Sequence, residues 1–261
     1  GSVNSPFNKM VANYSDANLF RWDKATDDNI LIDSLSGFDL VIAVISGTDQ
    51  RPFKAYGITD RLSSFLKKLV DNPGTIIVYT GNPYAIDQLP TLHSAKGLIV
   101  TYQDNRFTQE LAAQLIFGGI GGHGKLPVTI NEHYPEGFGV ITPGNIRLQY
   151  GYPENAGLSS EKLSRGIDSI AMAGLMSEAY PGCEVIAARR GIVIYHKTYG
   201  YHTFYKRKKV EKGDIYDIAS VTKAAAPTAG LMLLDDMNLF TPNNILSAYM
   251  PSFKRSDKAN L

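Results

Sequence analysis

The sequence predicts an α/β fold: a mostly parallel sheet flanked by helices, followed by a partial α+β unit. Two continuous runs of β-branched residues, 38–46 and 75–80, end at glycines, which is typical of strands covered on both faces. A helical pattern lies between these runs, and the strand–helix alternation then repeats. After residue 157 the order changes to helix, hairpin and helix, which predicts a second unit.

The first unit is built from alternating elements. Residues 60–70 place apolar side chains at helical spacing and predict the first crossover helix. A third strand is predicted at 97–102, followed by a helix from about Thr108 to Phe117 and a strand at 126–130. This order is typical of a parallel sheet with right-handed crossovers.

A stretch rich in proline and glycine separates the two units. The predicted organisation is therefore an α/β domain at residues 1–134, a linker at 135–157 and a second unit at 158–261. Within the second unit, Leu158-Ser159-Ser160-Glu161 predicts a helix start, and two strands are expected around Arg190-Gly191. A last helix is predicted at 220–237.

Composition excludes several classes of protein. The chain has 261 residues, 44% hydrophobic and 20% charged, with a net charge of +1, which argues against disordered, coiled-coil and nucleic-acid-binding chains. Its single cysteine, Cys183, cannot form an internal disulfide. No apolar run predicts a membrane span, and the start shows no leader pattern. The histidines lack metal-ligand spacing, so neither a metal nor a cofactor is expected.

The sharpest chemical signal is Ser220-Val-Thr-Lys223, at the start of the last predicted helix. Three residues make nearly one helical turn, so the hydroxyl and the ammonium lie on one face within reach of a shared proton. The helix N-terminus favours a neutral lysine and stabilises negative charge on the serine oxygen. The alternative is a capping serine followed by a solvated lysine.

The residues around this motif, 181–237, resemble the start of the serine β-lactamase and penicillin-binding-protein superfamily, especially its class C-like esterases. The resemblance implies that Ser220 is the acylated nucleophile and that Lys223 takes or orients its proton. Family members also carry a Tyr-x-Asn or Ser-x-Asn and a Lys-Thr-Gly or His-x-Gly. The 38 residues after Lys223 contain neither element. We therefore expect a truncated β-lactamase-like unit with an incomplete site, in a fragment that is inactive in isolation.

The first unit carries a second resemblance. Residues 75–85, 97–102 and 109–130 are similar to the C-terminal α/β domain of family 3 glycoside hydrolases, of the β-N-acetylglucosaminidase and β-glucosidase type. The resemblance implies a parent hydrolase whose (β/α)₈ barrel supplies the nucleophilic aspartate and binds the carbohydrate substrate. Both resemblances imply a periplasmic or otherwise exported location. No acidic residue here matches a catalytic carboxyl of that family.

Two other functions stay open at this point. The chain could be a non-catalytic carbohydrate-binding or scaffold module. Gly119-x-Gly121-x-x-Gly124 also matches the dinucleotide-binding pattern, which makes a nucleotide-binding α/β protein the minor alternative. That pattern must follow a strand and open a helix, whereas here it follows a predicted helix, so a glycine-rich helix exit is favoured.

The second unit is expected to need a cover for its apolar side chains. The hairpin and the last helix present a set of large aliphatic residues that a partial sheet would leave in water. We expect this unit to dock on the first domain, to pair with another copy in a homo-oligomer, or to be poorly ordered. The residues concerned are Val185, Ile192, Ile194, Leu231 and Leu233.

Overall fold

The computed structural model of the protein describes residues 3–259, so the outer domain limits predicted at residues 1 and 261 lie outside the described residues. The α/β fold is confirmed, with a parallel three-stranded sheet in the first unit and a mixed three-stranded sheet in the second. In chain order the elements are α1 (Pro6–Val11), α2 (Asp28–Leu35), β1 (Val41–Ile45), α3 (Asp60–Val70), β2 (Thr75–Tyr79), β3 (Gly97–Val100), α4 (Arg106–Ile116), β4 (Gln149–Tyr150), α5 (Ser160–Met176), β5 (Gly182–Arg189), β6 (Ile192–Gly200), α6 (Val221–Lys223), α7 (Ala229–Asp236) and α8 (Leu246–Tyr249).

The first sheet has the order β1-β2-β3, with all strands parallel. Four of the five residues of its central strand β2 are buried, because helices pack on both faces. Ile77 and Tyr79 belong to the cluster that includes α2 and α3, whereas Val78 packs with α1 and α4. All three side chains have no exposed surface. The continuous apolar run of β2 is therefore the expected signature of a strand buried on both faces.

The helices of this unit begin at capped residues. Thr59 Oγ1 accepts from the N–H of Leu62, and α3 spans the predicted residues 60–70. Asn105 caps α4 through a bond from Thr108 N–H, so this helix begins two residues earlier than predicted. Side-chain oxygens at these positions satisfy N–H groups that have no partner within the helix.

The strand predicted at residues 126–130 is wrong. Leu126 bonds through its N–H to Phe138 O, at 2.8 Å, and through its carbonyl to Gly137 N–H, at 2.8 Å. Pro127 follows at once and has no N–H to offer a ladder. The segment is therefore an irregular pairing with the loop that follows it.

A short strand lies inside the predicted linker. β4 pairs in parallel with β6, with Tyr150 opposite Val193, so the segment after the first unit becomes a strand of the second sheet. The same segment is tied to the first unit, because Tyr150 N–H donates to the buried Gln114 Oε1 at 2.8 Å. Tyr14 Oη donates to Gln114 Oε1 at 3.3 Å and to Leu148 O at 2.9 Å. We call Tyr14, Gln114 and Tyr150 the inter-unit latch.

The second unit has the predicted helix and hairpin. α5 begins after Ser159, which caps it, and β5 and β6 pair in antiparallel fashion. Arg190 and Gly191 join the strands with φ of 54° and 78°, the left-handed geometry of a tight hairpin turn. Among the residues expected to need a cover, Ile194 is buried, Val185 and Ile192 are half-buried, and Leu231 and Leu233 are exposed.

Within residues 3–259, no helix is both long enough and apolar enough to cross a bilayer.

Candidate functional site

The segment that leads to the Ser-x-x-Lys motif is fixed by Asp214. Its carboxylate accepts from Glu211 N–H at 2.7 Å, from His202 Nε2 at 2.7 Å and from Lys208 Nζ at 3.2 Å. These bonds, led by that from Glu211 N–H, lower the pKa of Asp214 to about 2. The carboxylate therefore stays ionised and anchors the chain six residues before Ser220.

A tight turn then delivers Ser220 to the start of a helix. Asp217 Oδ1 accepts from Ala219 N–H at 2.8 Å, and Ala219 has a φ of 41°. Left-handed backbone at a non-glycine residue is strained and persists when the surrounding turn fixes it. Lys223 N–H bonds to Ser220 O at 3.0 Å, which closes the first helical turn.

The structure brings the two predicted site residues together. Lys223 Nζ lies 3.0 Å from Ser220 Oγ, within hydrogen-bond distance. Ser220 makes no side-chain capping bond to the helix backbone. Of the two interpretations of this motif, the paired serine and lysine therefore describe the geometry, and the capping serine does not. Both residues are exposed.

The helix that carries the motif runs from residue 221 to 236, and we call it the site helix. It consists of α6, a wide π turn at Ala224–Thr228, and α7. Pro227 lies in the wide turn and has no N–H to donate to the carbonyl of Lys223. Thr228 Oγ1 donates to that carbonyl instead, at 3.0 Å. The turn therefore keeps its hydrogen bonding despite the proline, directly after the lysine of the site.

The site helix is exposed around its circumference. A helix that is apolar on all sides is normally buried, yet here each large apolar side chain retains at least 39% of its accessible surface. The Ser220–Lys223 contact lies on this exposed helix, and its separation depends on a single helical turn. The exposed residues are Val221, Leu231, Met232, Leu233 and Leu234.

A histidine and a glutamate pair across the β5–β6 hairpin. His196 Nε2 is 2.5 Å from Glu184 Oε1, and the Nδ1 atom of His196 is buried with no hydrogen-bond partner among residues 3–259. Burial lowers the pKa of Lys212, and the charge of Glu184 opposes this effect. Burial raises the pKa of Tyr216, and Glu184 adds to that rise. Tyr216 lies in the segment before Ser220, so the charge of Glu184 acts on a residue four positions before the serine.

A polar cluster joins α5 to β6 and was not predicted. Asp168 Oδ1 accepts from Lys197 Nζ at 2.7 Å, from Tyr195 Oη at 2.9 Å and from Tyr199 Oη at 2.5 Å. The bond from Lys197, followed by those from the tyrosines, lowers the pKa of Asp168 to about 2. Burial raises the pKa of Tyr199 well above its usual value, with Asp168 adding to the rise. The period-2 pattern of β6 places residues 195, 197 and 199 on one face, which is the signal that could have revealed this cluster.

The glycine-rich segment at residues 119–124 follows α4, as predicted. Two of its glycines lie where the neighbouring chain approaches closely. A Cβ at Gly119 would lie 2.3 Å from Tyr14 Oη, and a Cβ at Gly121 would lie 2.7 Å from Thr142 O. Side chains at these positions are excluded by the neighbouring chain, which accounts for both glycines without a nucleotide. Among residues 3–259, no group of three or more metal-binding side chains is present.

Comparison with known proteins concerns the second unit. Residues 167–261 match the family model described as beta-lactamase. This part of the chain is beta-lactamase-like. Curated relatives named "Protein flp", from Staphylococcus aureus strains COL and MW2, are each 34% identical over 88 residues, which is 34% of this chain and 18% of each relative. The chain thus matches less than a fifth of the length of these relatives. No solved structure matches the chain.

Proposed function

We propose that this chain carries the acylation centre of a serine hydrolase, with Ser220 as nucleophile and Lys223 as its base. The observation that carries this proposal is the 3.0 Å separation of Lys223 Nζ and Ser220 Oγ at the first turn of a helix. The beta-lactamase match over residues 167–261 supports it. Esters and amides are the proposed substrate class.

The proposed reaction uses Lys223 in its unprotonated state. The amine accepts the proton of the Ser220 hydroxyl while Oγ attacks the carbonyl carbon of the substrate. The carbonyl-to-leaving-group bond then breaks, the leaving group departs with that proton, and the acyl group remains on Oγ. Water attacks the acyl-serine in the second half and releases the acid. Lys223 Nζ lies within hydrogen-bond distance of Ser220 Oγ, so the same lysine can first accept the proton from the hydroxyl and then donate it to the leaving group.

The test is covalent labelling of this chain with a fluorophosphonate probe. A time course of intact mass, followed by peptide mapping, should place the adduct on Ser220. Ser220→Ala should abolish the adduct. Lys223→Met keeps an unbranched side chain, one atom shorter, but removes the base, and should slow labelling by about 10²-fold, the lower end of what general bases contribute. Whether wild-type labelling is slow tests the prediction of an incomplete site.

Ser177→Ala is the matched control. Ser177 is an exposed serine of the same unit, at the end of α5. Its hydroxyl donates to the carbonyl of Gly174 at 3.2 Å, and within residues 3–259 no lysine is hydrogen-bonded to it. This variant should label at the wild-type rate. Adducts spread over several exposed serines, or equal labelling of wild type and Lys223→Met, would contradict the proposed role of Ser220 and Lys223.

We also propose that the first unit is the accessory domain of a family 3 β-glycosidase and that it contacts carbohydrate, in a parent protein exported to the periplasm. The resemblance at residues 109–130 supports this. The carboxyl end of the parallel sheet, where ligands of α/β folds bind, also carries an oriented carboxylate. Asp104 accepts from Gly47 N–H at 2.8 Å and from Gln109 Nε2 at 2.6 Å.

Calorimetric titration with N-acetylglucosamine oligomers tests the carbohydrate proposal. Binding should weaken in Asp104→Asn and persist in Asp39→Asn, an exposed carboxylate that precedes β1 at the opposite end of the sheet. Equal heats from both variants, or no heat from the wild type, would reject a carbohydrate site at this edge. Fractionation of cells that express the parent protein tests the location.

A further inference from the structure

A positively charged loop projects from the hairpin unit between β6 and the site helix. Residues 202–209, which we call the basic loop, read His-Thr-Phe-Tyr-Lys-Arg-Lys-Lys and contain no acidic residue. Every residue of the basic loop is exposed. The sequence alone predicts a solvated loop. The structure adds a base fixed by hydrogen bonds and a tip with exposed aromatic rings.

The basic loop is held in a fixed conformation at its base. Tyr201 and Lys209 form an antiparallel bridge, and the next residue, Val210, is buried and bonds through its N–H to Gly200 O at 3.2 Å. His202 N–H donates to Lys208 O at 2.9 Å inside that bridge. The Asp214 carboxylate contacts both His202 Nε2 and Lys208 Nζ at the base of the loop. Little conformational entropy would be lost when such a loop binds a partner.

The tip of the basic loop presents aromatic rings and uncompensated cations together. Phe204 and Tyr205 are 56% and 83% exposed, large values for aromatic side chains. Arg207 lies over the ring of Tyr205, with its Cζ 5.8 Å from the ring centroid. Within residues 3–259, Lys206, Arg207 and Lys209 form no ion pair. The fourth cation, Lys208, pairs with Asp214 at 3.2 Å.

This combination is that of a membrane-interface anchor. Aromatic rings prefer the headgroup region of a bilayer, where one face is apolar and the other is wet, and cations beside them are attracted to anionic headgroups. A nucleic acid needs a longer stripe of cations than one loop provides. We propose that the basic loop docks the protein on the surface of an anionic phospholipid bilayer, with Phe204 and Tyr205 inserted among the headgroups and Lys206, Arg207 and Lys209 against their phosphates.

The test is sedimentation of the protein with vesicles. Vesicles of equimolar phosphatidylglycerol and phosphatidylcholine should bind the wild type, and vesicles of phosphatidylcholine alone should not. Binding should fall as salt is raised to roughly 0.5 M, because salt screens the cations. Each cation near an anionic surface contributes about fivefold to partitioning, so Lys206→Gln/Arg207→Gln/Lys209→Gln should lower the partition coefficient by about 100-fold. Phe204→Ser/Tyr205→Ser should lower it by about tenfold.

The control removes two exposed cations at the turn between β5 and β6. Arg189→Gln/Arg190→Gln, at the β5–β6 turn, should bind as the wild type does, although it also loses positive charge. In Phe204→Trp, tryptophan emission beyond that of the native Trp22 should shift to shorter wavelength when anionic vesicles are added. This measurement does not depend on a variant that loses binding.

Three results would overturn the proposal. Equal binding to neutral vesicles would assign the interaction to the exposed apolar residues of the site helix. Unchanged vesicle binding by the variant with serine at 204 and 205, together with equally strong binding of a single-stranded oligonucleotide, would show a general polyanion patch. No binding of the wild type to anionic vesicles at low salt would refute the proposal directly.

Discussion

Substitution of Gln114 by methionine tests whether the inter-unit latch holds the two units together. The side chain is 3% exposed, and its Oε1 accepts from Tyr150 N–H at 2.8 Å and from Tyr14 Oη at 3.3 Å. Burial raises the pKa of Tyr14 to about 12, so its hydroxyl stays protonated and can donate throughout the neutral range. Methionine keeps the length of glutamine but accepts hydrogen bonds poorly.

The magnitude follows from which donor loses its partner. The Tyr14 hydroxyl keeps its hydrogen bond to Leu148 O at 2.9 Å, so its loss of Gln114 costs little free energy. The N–H of Tyr150 loses its acceptor, and an unpaired donor away from water costs about 1–3 kcal/mol. For a chain of this length each kcal/mol lowers Tm by about 2–4 °C. We therefore expect Gln114→Met to unfold about 2–12 °C below the wild type.

Hydrogen exchange locates the effect. The N–H groups of Gln149 and Gly151 bond to the carbonyls of Gly191 and Val193 across the β4–β6 pair. If the latch holds β4 in place, these two amides should exchange about 5–150-fold faster in Gln114→Met, which is the same 1–3 kcal/mol expressed as an opening equilibrium. Gln103→Met is the control, since Gln103 is exposed and its side-chain Oε1 accepts from Asn105 Nδ2 within its own loop, at 3.0 Å. A Tm equal to that of this control, or unchanged exchange at β4, would refute the latch.

Three further predictions concern stability. Ile77→Ala should cost about 2–5 kcal/mol in urea denaturation because the side chain is fully buried, whereas Ile215→Ala, at 99% exposure, should change nothing measurable. Gly191→Ala should destabilise by about 1 kcal/mol because its φ is +78°, whereas Gly37→Ala, equally open around its Cβ but without a positive φ, should not. The bonds of Asp168 hold its pKa at about 2 in the folded state, below the unfolded value. Wild type should therefore exceed Asp168→Asn in stability at pH 5, and the difference should shrink as the pH falls toward 2; a constant difference would reject the assignment.

Local patterns account for the parts of the fold that were predicted. The α3 helix follows from apolar spacing and a threonine cap, and β2 from a continuous β-branched run. The strand β4 was not predicted, because two residues carry no periodicity and their partner strand begins more than forty residues later. A strand was wrongly predicted at Leu126–Ile130 because β-branched residues favour extended backbone even where no neighbouring strand is present. Tertiary pairing decided both cases.

The site divides in the same way. The separation of Ser220 and Lys223 could be derived from their spacing because one helical turn determines it. Their roles as nucleophile and base come from the resemblance at residues 181–237 and stay a prediction. The π turn at Pro227 had a visible signal, since a proline four residues after Lys223 removes the donor that the lysine carbonyl would use. The bond from Thr228 that replaces it could not be predicted, because it depends on how the helix widens.

The exposure of the site helix bears on how the labelling experiment should be interpreted. A contact set by one turn provides a nucleophile beside a base, but catalysis draws most of its power from a preorganised, water-excluding environment. In this structure Ser220 and Lys223 are both exposed, and the apolar residues of the same helix face water. The local pair should therefore determine which serine reacts, while the surroundings of the helix determine how fast. Selective but slow labelling of Ser220 is the outcome that follows from both statements, and it would separate the chemistry of the motif from that of its environment.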